Sequence, residues 1–199
     1  MPGEVPTFFR LFAAIPVPEA VREQLVKVQA ALRREIPATS IRWTSPEQMH
    51  LTLRFYGDVP TSQLPQLMQA LRTAAASHHP ITLRAMGLGA FPTPSRPRVL
   101  WAGVQGEPAN ALIQLWQSLN RETANFGSPP DHEEFTGHLT LGRIKLLSSR
   151  NVASLAARIA AHEATPFGTW QADCFDLMRS ELTPAGARHA LVERFACIA

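Results

Sequence analysis

The chain has 199 residues, of which 45% are hydrophobic and 18% are charged, and its formal net charge is +3 at pH 7. This composition is ordinary for a folded globular protein and excludes an intrinsically disordered chain. No apolar run reaches the roughly 20 residues of a membrane-spanning helix. Arg10 interrupts the early stretch FFRLFAAIP, which makes a poor signal peptide. We therefore expect one domain, or two small lobes that share a core, in the cytoplasm.

The predicted elements alternate between strands and helices. Apolar or alternating runs predict strands, and apolar residues spaced three or four apart predict helices. In chain order the elements are strand 8–15, helix 19–35, extended segment 41–43, strand 50–56, helix 61–76, strands 81–90 and 99–104, helix 108–125, strand 136–146, helix 152–162, and strands 168–173, 174–182 and 189–195, the last two joined by a turn at 184–186. This order predicts an α+β fold with antiparallel sheets and helices on one face.

The cysteines and the basic residues are less informative. Cys174 and Cys197 are the only cysteines and have no regular spacing, which predicts reduced and chemically inert thiols. Nearly all basic residues are arginine, which suits two-point contact with phosphate. This bias is compatible with an anionic substrate, but compositional bias alone explains it more simply.

The tetrapeptide HLTL occurs at residues 50–53 and again at 138–141, each time where a loop runs into a predicted strand. Residues two apart in a strand face the same side, so each histidine shares a face with the threonine of its own motif. The leucines can then anchor the strand to a core, and the polar pairs must face solvent, a groove or each other. One copy would most simply be a surface strand, but a second copy in a matching context favours a functional site.

Two imidazoles on facing strands would form an acid–base pair. With an ordinary pKa of about 6.5, one of His50 and His138 can be neutral and accept a proton while the other is charged and donates one. The threonine hydroxyls would add hydrogen-bond donors aimed at the same point. This set suits a tetrahedral anion with a charged transition state, as in phosphate ester cleavage. Arg143 could add positive charge, but strand parity points it away from His138 unless Gly142 makes the strand irregular.

Other chemistries fit the sequence less well. A metal site would need at least one more ligand beside the two histidines, and the candidates near the second motif are Asp131, His132, Glu133 and Glu134. This interpretation leaves both threonines without a role. A GxSxG elbow, a Walker loop and a GxGxxG motif are all missing, and a Cys–His pair would have to use a cysteine inside a predicted strand.

The paired motifs and their flanks resemble the two-histidine (2H) phosphoesterases. Within that superfamily the sequence is most similar to the bacterial and archaeal RNA 2′,3′-cyclic phosphodiesterases, also described as 2′-5′ RNA ligases. The resemblance covers almost the whole chain. The stretches that carry it are RLFAAIPVPEAVRE, IRWTSPEQMHLTLRFYGDV, RPRVLWAGV, FTGHLTLGRIK and SELTPAGARHALVERF.

The resemblance implies a single bilobal domain over residues 1–199, with one motif in each lobe. It implies two antiparallel sheets with outer helices, related by a pseudo-twofold axis around a V-shaped cleft. The implied activity is hydrolysis of RNA or nucleoside 2′,3′-cyclic phosphates to 2′-phosphomonoesters, without a metal or other cofactor. The implied substrates are RNA 3′ ends or cyclic nucleotides. No membrane and no obligate protein partner are expected, and a monomer is the default.

The resemblance also implies roles for individual residues. His50 would donate a proton to the leaving 3′-oxygen, and His138 would accept one from the attacking water. Thr52 and Thr140 would hold phosphate oxygens, and Arg143 matches a basic residue that follows the second motif in the family. The two histidine labels can be exchanged, because two similar rings swap roles in the reverse reaction, a weak 2′-5′ ligation.

One position departs from the family pattern: His189 stands where an aromatic residue, usually tyrosine, is expected. We interpret it as a change at the surface or at the substrate rim that leaves the chemistry intact and leaves the base or substrate preference open. Three aromatic residues are candidates for stacking on a base or, more simply, for core packing: Trp43, Phe55 and Trp101. Three arginines are candidates for contact with an RNA backbone or for solvated surface positions: Arg42, Arg54 and Arg98.

Two other functions remain open at this stage. The chain could be an RNA-binding module that keeps the cleft without turnover. It could also act on another cyclic phosphate, such as ADP-ribose 1″,2″-cyclic phosphate or a nucleotide-sugar cyclic phosphate, with the same pair of histidines.

Overall fold

The computed structural model describes residues 7–37, 39–129, 134–183 and 186–198. The strands in this part of the chain are β1 (Phe8–Pro16), β2 (Ile41–Trp43), β3 (His50–Pro60), β4 (Ile81–Thr93), β5 (Arg96–Glu107), β6 (His138–Ile144), β7 (Pro166–Ala172), β8 (Cys174–Thr183) and β9 (Gly186–Ala196). The α-helices are α1 (Glu19–Arg33), α2 (Leu64–Ala76), α3 (Ala111–Glu122) and α4 (Ser149–Ala161). None of these helices has the length and apolar character needed to span a bilayer.

The predicted elements and the α+β class are confirmed, with differences at the ends of elements. β4 and β5 are longer than predicted because they pair as a hairpin from Thr82 to Thr93, and backbone pairing continues where the hydrophobic pattern stops. The helix predicted from Thr61 begins with a 3₁₀ turn and becomes α-helical at Leu64. β8 and β9 pair as predicted, although their turn at 184–185 lies outside the described residues.

All strand pairs in the described ranges are antiparallel, and the strands form one curled sheet in the order β9-β8-β1-β3-β6-β5-β4-β7, with β2 pairing on β6. We call β9, β8, β1 and β3 half A, and β6, β5, β4, β7 and β2 half B. The halves meet at the two motif strands, where the residue pair Leu51–Leu139 is the one backbone pairing between β3 and β6. The two predicted sheets are therefore joined into one at this pair.

The order of the strands has the predicted pseudo-twofold symmetry. Counting outward from the motif strand, half A runs β3, β1, β8, β9 and half B runs β6, β5, β4, β7. Two antiparallel residues directly opposite each other are related by a local twofold axis, so the axis passes between Leu51 and Leu139. The helices cover both halves: α2 contacts β9 of half A, α1 contacts β7 and α4 contacts β4 of half B, and α3 spans the junction between β3 and β5.

The helices bury one apolar stripe each. Leu112, Leu115 and Leu119 of α3 are buried at the spacing of one helix face, and α1 buries Val21 and Leu25 in the same way. Burying a side chain of this size stabilises the fold by about 1.5–3 kcal/mol. Because α1 follows β1 of half A but packs on β7 of half B, the chain crosses between the halves and ties them together.

Arg54, in β3, is buried and only 3% exposed, so both predictions for it, RNA contact and a solvated surface, are wrong. Its guanidinium donates to the carbonyl oxygens of Asn120, Phe126 and Ser128 and to the Thr123 hydroxyl, at 3.1–3.3 Å. The reason is a bulge, which pattern analysis did not foresee. Ala13 pairs with Arg54 and Ala14 with Thr52, so Leu53 is an extra residue and the side of the strand changes after it.

We predict that Arg54→Met lowers the free energy of unfolding by about 3 kcal/mol, because it leaves several buried acceptors without a donor. The measurement is urea unfolding followed by circular dichroism. The matched control is Arg72→Met. Arg72 is exposed and bonded to Glu193, and this change costs at most about 1 kcal/mol. Equal losses in the two variants would contradict a structural role for Arg54.

Candidate active site

The two motifs present their polar residues on one face of the junction between the halves. The motif leucines are at most 3% exposed, whereas the histidines and threonines are half-buried on the opposite face. Continuing the register of the Leu51–Leu139 pair sets His50 opposite Thr140 and Thr52 opposite His138. All four side chains line the same cavity, whose volume is about 1,360 Å³. The sequence-predicted acid–base candidates therefore share one site.

Each motif histidine is held by a backbone group two residues before it. The Nδ1 atom of His138 lies 2.8 Å from the carbonyl oxygen of Thr136. A carbonyl oxygen only accepts, so Nδ1 donates, and Nε2 is the nitrogen that can exchange a proton with a substrate. The backbone of Gln48 hydrogen-bonds the ring of His50 in the corresponding position. The two motifs therefore fix their rings in the same way.

The surroundings of the two rings differ. His50 packs against Phe12 and His189, with ring centroids 4.9 and 5.3 Å away. His138 packs edge-on against Phe91 at 5.0 Å. Burial, followed by the charges of His189 and His138, lowers the pKa of His50 from 6.5 to about 4, and the Gln48 hydrogen bond opposes this shift. His50 is therefore neutral at pH 7 before an anion binds.

Arg143 lines the same cavity because β6 is irregular, as predicted. Leu100 pairs with Gly142 and Trp101 with Thr140, so Leu141 is an extra residue and Arg143 moves to the cleft side. The bulge is held from behind, since the Leu141 carbonyl accepts from the Thr44 backbone at 3.0 Å and from the buried Gln29 side chain at 2.8 Å.

Four exposed arginines line the cavity: Arg10, Arg42, Arg98 and Arg143. Within the described ranges, none of them forms an ion pair, whereas Arg72, Arg179 and Arg194 of half A are paired with carboxylates. Arg42 and Arg143 stand directly opposite each other on β2 and β6. Like charges in that relation repel, so the pair is suited to an anion that contacts both. Arg10 lies on β1 of half A and the other three lie on strands of half B, so both halves contribute positive charge to the cleft.

Comparison with known proteins decides the family. The family model described as LigT like Phosphoesterase matches residues 15–101 and 103–189, most of the chain. This chain belongs to the LigT-like phosphoesterases. Each match begins 35 residues before its motif histidine, from 15 to 50 and from 103 to 138, so the model matches two successive stretches of the chain in the same register relative to their motifs.

Relatives of this LigT-like phosphoesterase are similar over nearly their whole length. The RNA 2′,3′-cyclic phosphodiesterase of Methanothermobacter thermautotrophicus is 32% identical, over 94% of this chain and 97% of its own. That of Archaeoglobus fulgidus is 32% identical, over 89% and 94%. Among solved structures, TT0787 of Thermus thermophilus has a TM-score of 0.77 and 31% identity, with 94% and 97% coverage. Escherichia coli LigT complexed with 3′-AMP has a TM-score of 0.71 and 25% identity, with 98% and 100% coverage.

The aromatic candidates do not all belong to the core. Phe55 is 49% exposed and lines the cavity, so core packing is wrong for this residue. Trp43 also lines the cavity, with its ring 5.2 Å below the guanidinium of Arg33. Trp101 is half-buried behind His138 and lies flat on Gly89, where a Cβ atom would come within 2.1 Å of the ring. Only glycine therefore fits at that position.

Several lining residues were not found by the sequence analysis. Phe12 and Phe91 contact the two histidines, and Trp116 stacks on Phe135 at the other side of the cavity. In the sequence they are ordinary apolar residues of strands, helices and loops, with no local signal. His189 was expected at the surface or at the substrate rim, and it lies half-buried in the cavity beside His50.

The alternatives based on metals and thiols find no support in the described ranges. No group of three or more histidine, cysteine or acidic residues there could hold a metal ion. Of the four ligand candidates, Glu134 lines the cavity, and residues 131–133 lie outside the described part of the chain. The two cysteines are free, as predicted, and burial raises the pKa of both Cys174 and Cys197 to about 11, which disfavours a nucleophilic thiolate.

We predict that His50 makes the protein less stable in acid. The pKa of histidine is about 6.5 in the unfolded chain, and that of His50 in the folded protein is about 4. As the pH falls between these values, the unfolded state takes up a proton that folded His50 does not, and the free energy of unfolding decreases. When the pH is lowered from 7.5 to 4.5, the free energy of unfolding measured with urea should fall by about 2 kcal/mol less in His50→Asn than in the wild type. The matched control is His79→Asn, at an exposed position outside the cavity. If the free energy of unfolding has the same pH dependence in the two variants, the pKa of His50 is not lowered in the folded protein.

Proposed function

We propose that this protein hydrolyses RNA 2′,3′-cyclic phosphate ends to 2′-phosphomonoesters by acid–base catalysis, without a metal or other cofactor. It would act as a single bilobal domain with one motif in each half. The observation that carries the proposal is the antiparallel pairing of Leu51 with Leu139, which brings two imidazoles and two hydroxyls to one cleft. The names of the relatives support the substrate class.

In the proposed reaction, water attacks the phosphorus from the side opposite to the leaving oxygen. His138 accepts the proton of the water through Nε2, and His50 donates a proton to the 3′-oxygen as its bond to phosphorus breaks. The 2′-oxygen keeps the phosphate. The hydroxyls of Thr52 and Thr140 donate to the oxygens that do not react, and the charge of Arg143 stabilises the transition state.

The proposed donor needs a proton that it lacks before substrate binds, because the pKa of His50 is about 4. A phosphate in contact with the ring favours the charged imidazolium and opposes the effect of burial. His50 would therefore take up its proton together with the substrate. The imidazolium form of His50 would therefore be present mainly in the complex with substrate, where its proton is needed.

The cleft is better matched to an RNA end than to a small cyclic phosphate alone. Its volume exceeds what one cyclic phosphate needs, and three of its unpaired arginines, Arg42, Arg98 and Arg143, lie on strands of half B. Arg42 and Arg98 would contact phosphates before the terminal nucleotide, and the exposed ring of Phe55 offers a surface for a base. A nucleotide complex of the related Escherichia coli LigT supports binding of nucleotides in this fold.

We propose a monomer with no obligate protein partner that acts in the cytoplasm, where the free thiols of Cys174 and Cys197 stay reduced. If the 5′-hydroxyl of another RNA replaced water as the nucleophile, the same step would open the cyclic phosphate into a 2′-5′ linkage, a weak ligation. In the reverse of that ligation the two histidines would exchange roles.

We predict that His50→Ala and His138→Ala each lower kcat/KM for an RNA with a 2′,3′-cyclic phosphate end by roughly 10²–10⁴-fold, since each removes one proton-transfer group. The wild-type rate should be unchanged in excess EDTA, and phosphorus NMR should show only the 2′-phosphate. Full activity in either variant, or loss of activity with the chelator, would contradict the mechanism.

A substrate with a bridging sulfur at the 3′ position tests which histidine is the donor. A thiolate leaves without being protonated, so the loss caused by His50→Ala should shrink on this substrate while that caused by His138→Ala stays large. The opposite result would exchange the two labels.

We predict that Arg42→Gln and Arg98→Gln raise KM for a ten-nucleotide RNA with a cyclic end and leave KM for cytidine 2′,3′-cyclic phosphate nearly unchanged. The slope of log KM against log salt should become shallower by about one per arginine. The control is Arg84→Gln, which removes an exposed arginine that is paired with Glu107 outside the cavity. Equal effects on both substrates would favour a small cyclic phosphate, such as ADP-ribose 1″,2″-cyclic phosphate, as the natural substrate.

A further inference from the structure

His189 brings a third imidazole into the cleft. It lies on β9 opposite Ser180 of β8, is half-buried, and lines the cavity with the motif residues. Its ring meets the ring of His50 edge-to-face, with centroids 5.3 Å apart and an interplanar angle of 72°. Both rings also contact Phe12, each at 4.9 Å. The three rings form a closed set in which each touches the other two.

A second contact fixes this arrangement. The side chain of Gln48 donates to the carbonyl oxygen of Ala187, two residues before His189. The backbone of the same Gln48 hydrogen-bonds the ring of His50. One residue thus holds both β9 and the catalytic ring, so a change in the position of His189 is transmitted to His50. The ring of His50 is set from two sides, by Phe12 and by His189.

The charged side chains that line the cavity around His50 and His189 are mostly positive. From β1, β2, β5 and β6 the cavity presents arginines and His138, and Glu134 is the carboxylate that lines it within the described ranges. On β8, beside His189, Arg179 and Glu181 pair with each other. Burial lowers the pKa of His189, and the charge of a protonated His189 lowers the pKa of His50 further. Among the described cavity residues, no carboxylate offsets this repulsion on His50.

We propose that His189 is a positioning residue for the reaction: its ring holds the ring of His50 in place, and its positive charge, when His189 is protonated, opposes protonation of His50. The tyrosine expected at this position would supply the ring without the charge. The effect on rate rests on the proposed function, but the effect on His50 itself does not.

The test uses two variants that separate the ring from the charge. His189→Phe keeps a flat ring against Phe12 and His50 but cannot be protonated. His189→Ala removes both the ring and the charge. The titration of His50 is followed by proton NMR of the imidazole signals in the free protein, and its signal is assigned by its loss in His50→Asn. Cleavage of a cyclic-ended RNA is measured across the same pH range.

In His189→Phe we expect His50 to titrate at a higher pH than in the wild type, with kcat near the wild-type value and its pH profile shifted upward. In His189→Ala we expect kcat to fall by roughly 10–100-fold, because the ring of His50 is no longer held. The matched control is His79→Phe, at an exposed position outside the cavity, which should change neither measurement.

Unchanged titration of His50 in both His189 variants would overturn the proposal, as would wild-type kcat in His189→Ala. A wild-type protein that cleaves no cyclic phosphate would overturn the proposed function alone. In that case the NMR titration still decides whether His189 acts on His50, because it needs no substrate.

Discussion

The site depends on one antiparallel contact, the pairing of Leu51 with Leu139 at the centre of the sheet. Both leucines are fully buried, so the pair is fixed by the core on one side. On the other side, the alternation of a strand leaves each histidine and threonine facing the cleft. Because residues opposite each other in an antiparallel pair are related by a twofold axis, the two imidazoles approach the cleft in equivalent ways. A parallel pairing of the same motifs would not have this property.

The backbone symmetry extends past the motifs, but the side chains at equivalent positions differ in chemical character. A bulge occurs at the last leucine of each motif, Leu53 and Leu141, and turns the residue two positions later into the cleft. In half A that residue is the exposed ring of Phe55, and in half B it is Arg143. An aromatic surface and a cation therefore occupy equivalent positions, so a substrate with distinct base and phosphate ends has one preferred direction in the cleft.

The sequence predicted the elements, the α+β class and the residues that meet in the cleft because these are encoded locally. Periodicity marks strands and helices, and two identical tetrapeptides mark the site. The parity of β6 indicated that an irregularity, with Gly142 as its candidate, was needed to turn Arg143 toward the cleft, and the structure has it at Leu141. The matching bulge at Leu53 was missed, which led to the wrong predictions for Arg54 and to the wrong prediction of core packing for Phe55. The packing of Phe12 and His189 around His50 depends on the register between β3, β1, β8 and β9, and no local pattern encodes a register between distant segments.

The single pairing between the two halves has a mechanical consequence. Each half keeps its own ladder of backbone hydrogen bonds, so a small change in the angle between the halves would alter the gap between the imidazoles and leave both ladders intact. The stiffness of this angle comes from helices that bridge the junction: α1 leaves half A and packs on β7, and α3 contacts both β3 and β5. Core residues beneath these two helices, far from any reacting atom, can therefore affect turnover by setting the angle between the halves.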